Sequence, residues 1–286
     1  MEDIRIFGPR PSGKLVYLTT LACWPNPSPN SPVLSIEPLE DKALDLIEMG
    51  RDILQNGYLL PPMHVGDPVS CGLSITLKQS FNILNPFVRR VITLNANYTA
   101  YPGEYFEGIL MLDHEDFTDF LEYVFDDLAK ANQFIFMFDS TTSQRDTEYA
   151  QAMSILRHEL YNRTSLPINN FKFAIVFSKM DLAPGFFYLP DLDNFTTIKF
   201  PRLFYEMQKW SQDWNCSIRY FACSAFGMVG NPPKPNAFRE NLSNIAQGCG
   251  WVLKEPDAWR TFGLVAPVYW LLTGKTDSRL LDYPLF

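Results

Sequence analysis

A short β-branched and aromatic run, Ile4–Phe7, leads directly into Gly8-Pro9-Arg10-Pro11-Ser12-Gly13-Lys14-Leu15, and an apolar helical stretch, Val16–Ala22, follows. The spacing GxxxxGK between a strand and a helix is that of a phosphate-binding loop. Gly8 and Gly13 let the backbone curl around phosphate oxygens. The exposed N–H groups of the loop form an anion nest, and the helix N-terminus adds its dipole. Lys14 would then reach the outer phosphates, with Ser12 and Leu15 completing the candidate loop. The competing structural reading is a Gly-rich turn between strand and helix. A strand that feeds a helix in this way, repeated along the chain, implies crossovers and a doubly wound α/β sheet.

The rest of the sequence has the same rhythm. Phe134–Phe138, Phe171–Phe177 and Ile218–Ala222 are nearly continuous apolar runs, as in parallel strands covered on both faces, and Val91–Leu94 reads the same way. Leu73, Ile75 and Leu77 alternate with polar residues, as in a half-buried strand. Helical periodicity spans Leu39–Asn56, with Gly57 as its stop, then Glu115–Ala131, Thr147–Tyr161, Arg202–Trp214 and Asn236–Leu253. The expected fold is a three-layer α/β P-loop sheet with helices on both faces and a C-terminal helical extension. Trp24–Pro38 holds five prolines and is expected to be a loop.

Composition narrows the function classes. With 286 residues, 47% hydrophobic and 20% charged, the chain can bury a sizeable core. A net charge of -8 weighs against nucleic acid as a partner, since phosphate backbones need clustered Lys and Arg. The longest apolar run, Phe262–Leu272, is broken by Pro267 and reads as a buried helix, so no integral membrane span is expected. MEDIRIFG does not read as a signal peptide, and the expected location is cytoplasmic. Five cysteines without a CxxC pair and three scattered histidines argue against a disulfide framework or a metal site. From Glu104 to Asp127 there are nine carboxylates and no Lys or Arg, which reads as a solvated helix face or as a surface for a basic partner.

Two later signals carry a resemblance. The run FKFAIVF ends in Ser178-Lys179-Met180-Asp181, and SIRYFA leads into Cys223-Ser224-Ala225. Together with the phosphate loop, these resemble the P-loop GTPases of the translation-factor-related (TRAFAC) class, which carry an [NT]KxD tetrad after one strand and an SA dipeptide after the next. The resemblance implies that Asp181 takes the two donors of the guanine edge, that Lys179 lies along the base, and that the Ser224–Ala225 backbone meets the guanine carbonyl. Ser178 departs from the usual Asn or Thr but keeps a hydroxyl. Pro102-Gly103-Glu104 resembles the PGE that ends the DxxG motif in bacterial double-GTPase-like proteins. Ala100 stands where that motif has its metal-supporting Asp, and Leu15 stands where the phosphate loop has its Ser or Thr. Leu59–His64 offers no clear threonine for the first switch.

Three positions that would handle Mg²⁺ and the outer phosphate therefore lack the expected oxygen. The resemblance implies a degenerate, pseudo-GTPase-like protein over residues 1–230, with an enlarged first-switch region at about 24–70 and a C-terminal extension over 231–286. GTP or GDP binding is expected to be weak, Mg²⁺-independent or absent. The partner is expected to be another protein, reached through the acidic segment 104–127, the proline loop or the C-terminal helices. The alternative is an active GTP-hydrolysing switch that recruits Glu104 or Asp139 as substitute metal ligands. A P-loop kinase or ATPase is disfavoured because it leaves the tetrad and the SA pair unexplained. Trp210 and Trp214 read as core aromatics, Trp24 as an anchor for the proline loop, and Arg10 as either a phosphate contact or a loop charge.

Overall fold

The fold is described from a computed structural model covering residues 1–24, 31–56, 63, 66–78, 91–111, 115–239, 251–281 and 283–284; the side chains of 52–56 and 115–120 are not described. Along the chain run β1 (Glu2–Phe7), α1 (Lys14–Cys23), β2 (Val33–Pro38), α2 (Asp41–Asn56), β3 (Val69–Lys78) and β4 (Val91–Ala100). Then come α3 (Gly103–Ile109), α4 (Glu115–Leu128), β5 (Gln133–Asp139), α5 (Asp146–Arg163), β6 (Lys172–Ser178), α6 (Leu192–Lys199), α7 (Pro201–Trp214) and β7 (Ser217–Ala222). Two two-stranded sheets follow, β8 (Met228–Val229) with β9 (Lys234–Pro235) and β10 (Ala237–Arg239) with β11 (Trp251–Leu253), and then α8 (Val265–Thr273).

Seven strands form one sheet in the order β2-β3-β4-β1-β5-β6-β7. β4, β1, β5, β6 and β7 are mutually parallel, while β3 runs antiparallel to both β2 and β4. The phosphate loop leaves β1, which lies between β4 and β5, so it opens at the point where the chain has crossed to both sides of its first strand. That crevice at the carboxyl ends of the strands is where open α/β sheets bind ligands.

Side-chain alternation sorts the layers. Phe134, Phe136 and Phe138 of β5, with Phe173 and Phe177 of β6, face a layer built from α3, α4, α5, α6 and α7. Ile135, Met137, Ala174 and Val176 point the other way, toward α1, α2 and α8. The period of two along each strand is what sends neighbouring residues to opposite faces. On the aromatic side, Trp210 stands edge-on to Phe173 with centroids 4.8 Å apart, and Trp214 lies 5.0 Å from Trp210. Both are core aromatics of α7, as their helical spacing predicts. The expected three-layer α/β architecture is the observed one.

Several local expectations are corrected. The second half of the proline segment is not a loop but the edge strand β2, antiparallel to β3. An edge position tolerates Pro38 because one side of the strand needs no donors. β4 is covered on one face only: Leu94, Ala96, Tyr98 and Ala100 are buried while Val91 and Thr93 are exposed. The helix expected over 236–253 is not formed at its ends, where Ala237–Arg239 and Trp251–Leu253 pair antiparallel. Among the described residues of 231–286, one α-helix forms, α8. Pro267 sits in its first turn, where its missing N–H costs no helical bond. Gly57 and the five residues Leu59, Leu60, Pro61, Pro62 and His64 lie outside the described residues. Among the described residues no helix is long and apolar enough to cross a membrane.

Candidate functional site

The phosphate loop is folded as its glycines require. Gly8 has φ 155°, and a Cβ there would stand 2.1 Å from the Met137 carbonyl oxygen of β5. Gly13 has φ 82° and forms the N-cap of α1, so a left-handed residue turns the chain into the helix. Ser12 is buried and donates to the Pro9 carbonyl at 2.9 Å, tying the loop across itself. The Lys14 ammonium is buried too, donating to the carbonyls of Gly8 at 2.7 Å and Pro9 at 2.8 Å and to the Ser12 hydroxyl at 3.3 Å. All three acceptors are neutral. Among the described residues no carboxylate touches Lys14, and burial pulls its pKa down to about 7 against the weaker opposing fields of Glu104 and Glu107. A phosphate at this loop would supply the missing anion.

The base-side motifs come to the same crevice. A Cβ on Gly13 would lie 4.0 Å from the Ser178 hydroxyl, which donates at 3.3 Å to the Phe138 carbonyl. Ser178 thus fastens the tetrad to β5 behind the phosphate loop. Lys179 adopts φ 57°, and the next residue, Met180, donates its N–H to the Cys223 carbonyl at 3.2 Å, joining the tetrad to the segment that carries Ser224 and Ala225. Asp181 is buried and accepts from the Ser224 hydroxyl, and its pKa is raised by burial beyond what that hydrogen bond returns. The two N–H groups of a guanine edge would offset the cost of an ionised Asp181. The Ala225 N–H has no acceptor among the described residues, while its carbonyl accepts from the Trp259 indole at 2.7 Å.

The residues at the metal position do not fit Mg²⁺. Leu15 packs its side chain on an apolar cluster, and Ala100 is buried in the core between the sheet and α1. Gly103 lies against the phosphate loop so closely that a Cβ would meet the Arg10 nitrogen at 2.5 Å. Beside it, Glu104 is ion-paired to Arg10, which holds its carboxyl below the usual range against the opposing effect of partial burial. Arg10 is therefore a partner of α3. Glu107 is paired in turn to Arg145. Asp139, at the end of β5, is buried and takes the Lys179 ammonium at 2.5 Å on one oxygen, with the Thr141 N–H and hydroxyl on the other. Both carboxylates that could substitute as metal ligands already hold a cation. Three-fold groups of His, Cys, Asp or Glu able to hold a metal are absent among the described residues.

An apolar cluster beside the phosphate loop has no signature in the sequence. Leu253 and Trp259 are buried against Leu15 and Val16 of α1, Met49 of α2 and Phe226, which directly follows the SA pair. Backbone bonds between Ser224 and Phe262, 3.1 and 3.2 Å, stitch the two segments together. Gly227 and Gly263 are needed there, since a Cβ would come within 1.6 Å of the Arg260 carbonyl and 1.9 Å of the Ala222 carbonyl. Nothing in local spacing announces contacts across more than two hundred residues. Of the acidic stretch, Glu104, Glu107, Glu122, Asp126 and Asp127 are paired to Arg10, Arg145, Arg163 and Arg5. The side chains of Asp113, Glu115, Asp116 and Asp119 lie outside the described residues.

No family model and no curated protein matches the chain. Solved structures give distant similarities. One is the signal recognition particle receptor SRb-GTP/SRX complex from Chaetomium thermophilum, at 15% identity over 80% of this chain and 93% of that one, with a TM-score of 0.37. Another is the Arl6 BBS3 small GTPase from Trypanosoma brucei with the bound nucleotide analogue GppNp, at 13% identity over 78% and 87%, with a TM-score of 0.40.

Proposed function

We propose that this chain is a pseudo-GTPase: a GTPase-type binding module that takes guanine nucleotide weakly and without Mg²⁺, and works through contacts with another protein. The observation that carries this reading is the pairing of Glu104 with Arg10 and of Asp139 with Lys179, which engages with a cation each of the two carboxylates that could stand in for a metal ligand beside the phosphate loop. Phosphoryl transfer is mostly positioning plus electrostatic stabilisation, and the metal supplies much of the latter. A site without metal ligands therefore hydrolyses GTP no faster than background.

The anion nest and the guanine-edge carboxylate are separate assets and survive that loss. Gly8, Ser12, Gly13 and Lys14 would hold the phosphates, Ser178 keeps the tetrad in place, and Asp181 with Ser224 and Ala225 would read the base. Lys179 pairs with Asp139 and would reach the base only along its aliphatic stem. The protein partner would be met through the acidic segment 104–127, the proline loop or the C-terminal segment.

The test is a calorimetric titration of nucleotide-stripped protein with GDP, with and without Mg²⁺, beside a GTP turnover assay. Equal affinities in the two titrations and no turnover are expected. Metal-dependent turnover that disappears in Lys14→Ala would overturn the proposal.

A further inference from the structure

We infer that the segment Trp251–Phe262 is an intramolecular cap that closes the nucleoside seat, so that nucleotide gains full access only when this segment is displaced. The inference rests on the reading of the crevice as a nucleotide site and specifies how that site is controlled.

A nucleotide with its phosphates in the Gly8–Lys14 loop and its base at Asp181 and Ala225 must pass its ribose between the first turn of α1 and the loop that follows β7. Those two walls contribute Leu15 and Val16 on one side and Phe226 on the other, and all three belong to the cluster that Leu253 and Trp259 complete. Trp259 is 1% exposed, and its indole N–H is spent on the Ala225 carbonyl, the residue whose backbone would meet the base. Ser224 has its N–H and its carbonyl bonded to Phe262. The cap is thus held by hydrogen bonds to the base-reading dipeptide and by apolar contact with the residues beside the phosphate loop. From the far side, Met49 of α2 closes the same cluster.

Leu15 fits this arrangement. In a metal-dependent loop the position needs an oxygen; here an apolar side chain serves as part of the floor on which the cap rests. The glycines at 227 and 263 serve the same close approach, because side chains there would collide with the carbonyl oxygens of Arg260 and Ala222.

The experiment compares pyrophosphate, which needs the phosphate loop alone, with GDP, which also needs the nucleoside seat. Both are titrated without Mg²⁺ into the full chain and into its Trp259→Ala variant. The wild type is expected to bind the two ligands with similar affinity. Trp259→Ala is expected to gain at least tenfold for GDP and nothing for pyrophosphate, and Asp181→Asn added to it should abolish the gain. Leu253→Ala, a milder truncation in the same cluster, gives the comparison if Trp259→Ala does not fold. Unchanged or weaker GDP binding by a folded cap variant, with pyrophosphate still bound, would overturn the cap and leave the nucleotide reading intact. Failure of every form to bind either ligand would overturn the nucleotide reading and the cap with it.

Discussion

The Lys14 ammonium lies 2.7 Å from the carbonyl oxygen of Gly8, the glycine that opens its own loop. With only neutral acceptors around it, this buried lysine titrates near pH 7, well below its ordinary value of 10.5, because burial disfavours the charge. Between those two values the unfolded chain binds a proton that the folded chain does not. Stability therefore rises with pH across that window, by at most about 1.4 kcal/mol per unit. Denaturant unfolding of the wild type and of Lys14→Met from pH 6.5 to 10 checks this: the wild type gains on the variant as pH rises. A bound phosphate reverses the preference, so anion affinity should fall as pH rises above 7.

Gly103 meets the backbone of Arg10 rather than a flexible side-chain tip, so the phosphate loop cannot yield to a methyl group there. Gly103→Ala should cost about 1–3 kcal/mol, the usual penalty of overpacking. Urea titration monitored by far-UV circular dichroism measures it. An unchanged midpoint would mean that the start of α3 does not rest on the loop.

Asp181 pays for its burial when ionised, since its folded pKa lies above the ordinary 3.8. The sign is that of a raised carboxyl: its contribution is best at low pH and is lost as pH rises through the folded value. Asp181→Asn should therefore stabilise the free protein at neutral pH, where the buried carboxylate is ionised. In the Trp259→Ala background, where the nucleoside seat is open, the same change should erase the preference for GDP over ADP in competition, because an amide cannot accept both guanine donors on one face. A thermal melt and a competition titration together read both effects.

Asp146 begins α5 yet accepts from the N–H groups of Arg202 and Leu203, both at 2.9 Å, at the start of α7. It caps a helix whose own N-cap position, Phe200, has no side-chain hydrogen bond. Asp146→Ala should cost about 1–2 kcal/mol, as the loss of a helix cap does. Asp146→Asn, which keeps one acceptor oxygen, should cost less. Chemical denaturation of the two variants separates them.

The sequence by itself determined the layers and the phosphate loop, because both depend on local periodicity and local backbone freedom. Phe134, Phe136 and Phe138 alternate with Ile135 and Met137 at the strand period, and Gly8 and Gly13 stand where the backbone needs what only glycine gives. The motifs Ser178–Asp181 and Ser224–Ala225 could be placed at strand ends for the same reason. Tertiary structure alone decided what those residues touch. That Arg10 holds Glu104, that Lys179 turns to Asp139, and that Trp259 and Leu253 share a cluster with Leu15 are consequences of chain crossings that bring distant segments together. The strands Ala237–Arg239 and Trp251–Leu253 show the limit from the other side: their periodicity reads as helix, and pairing between segments overrides a weak local preference.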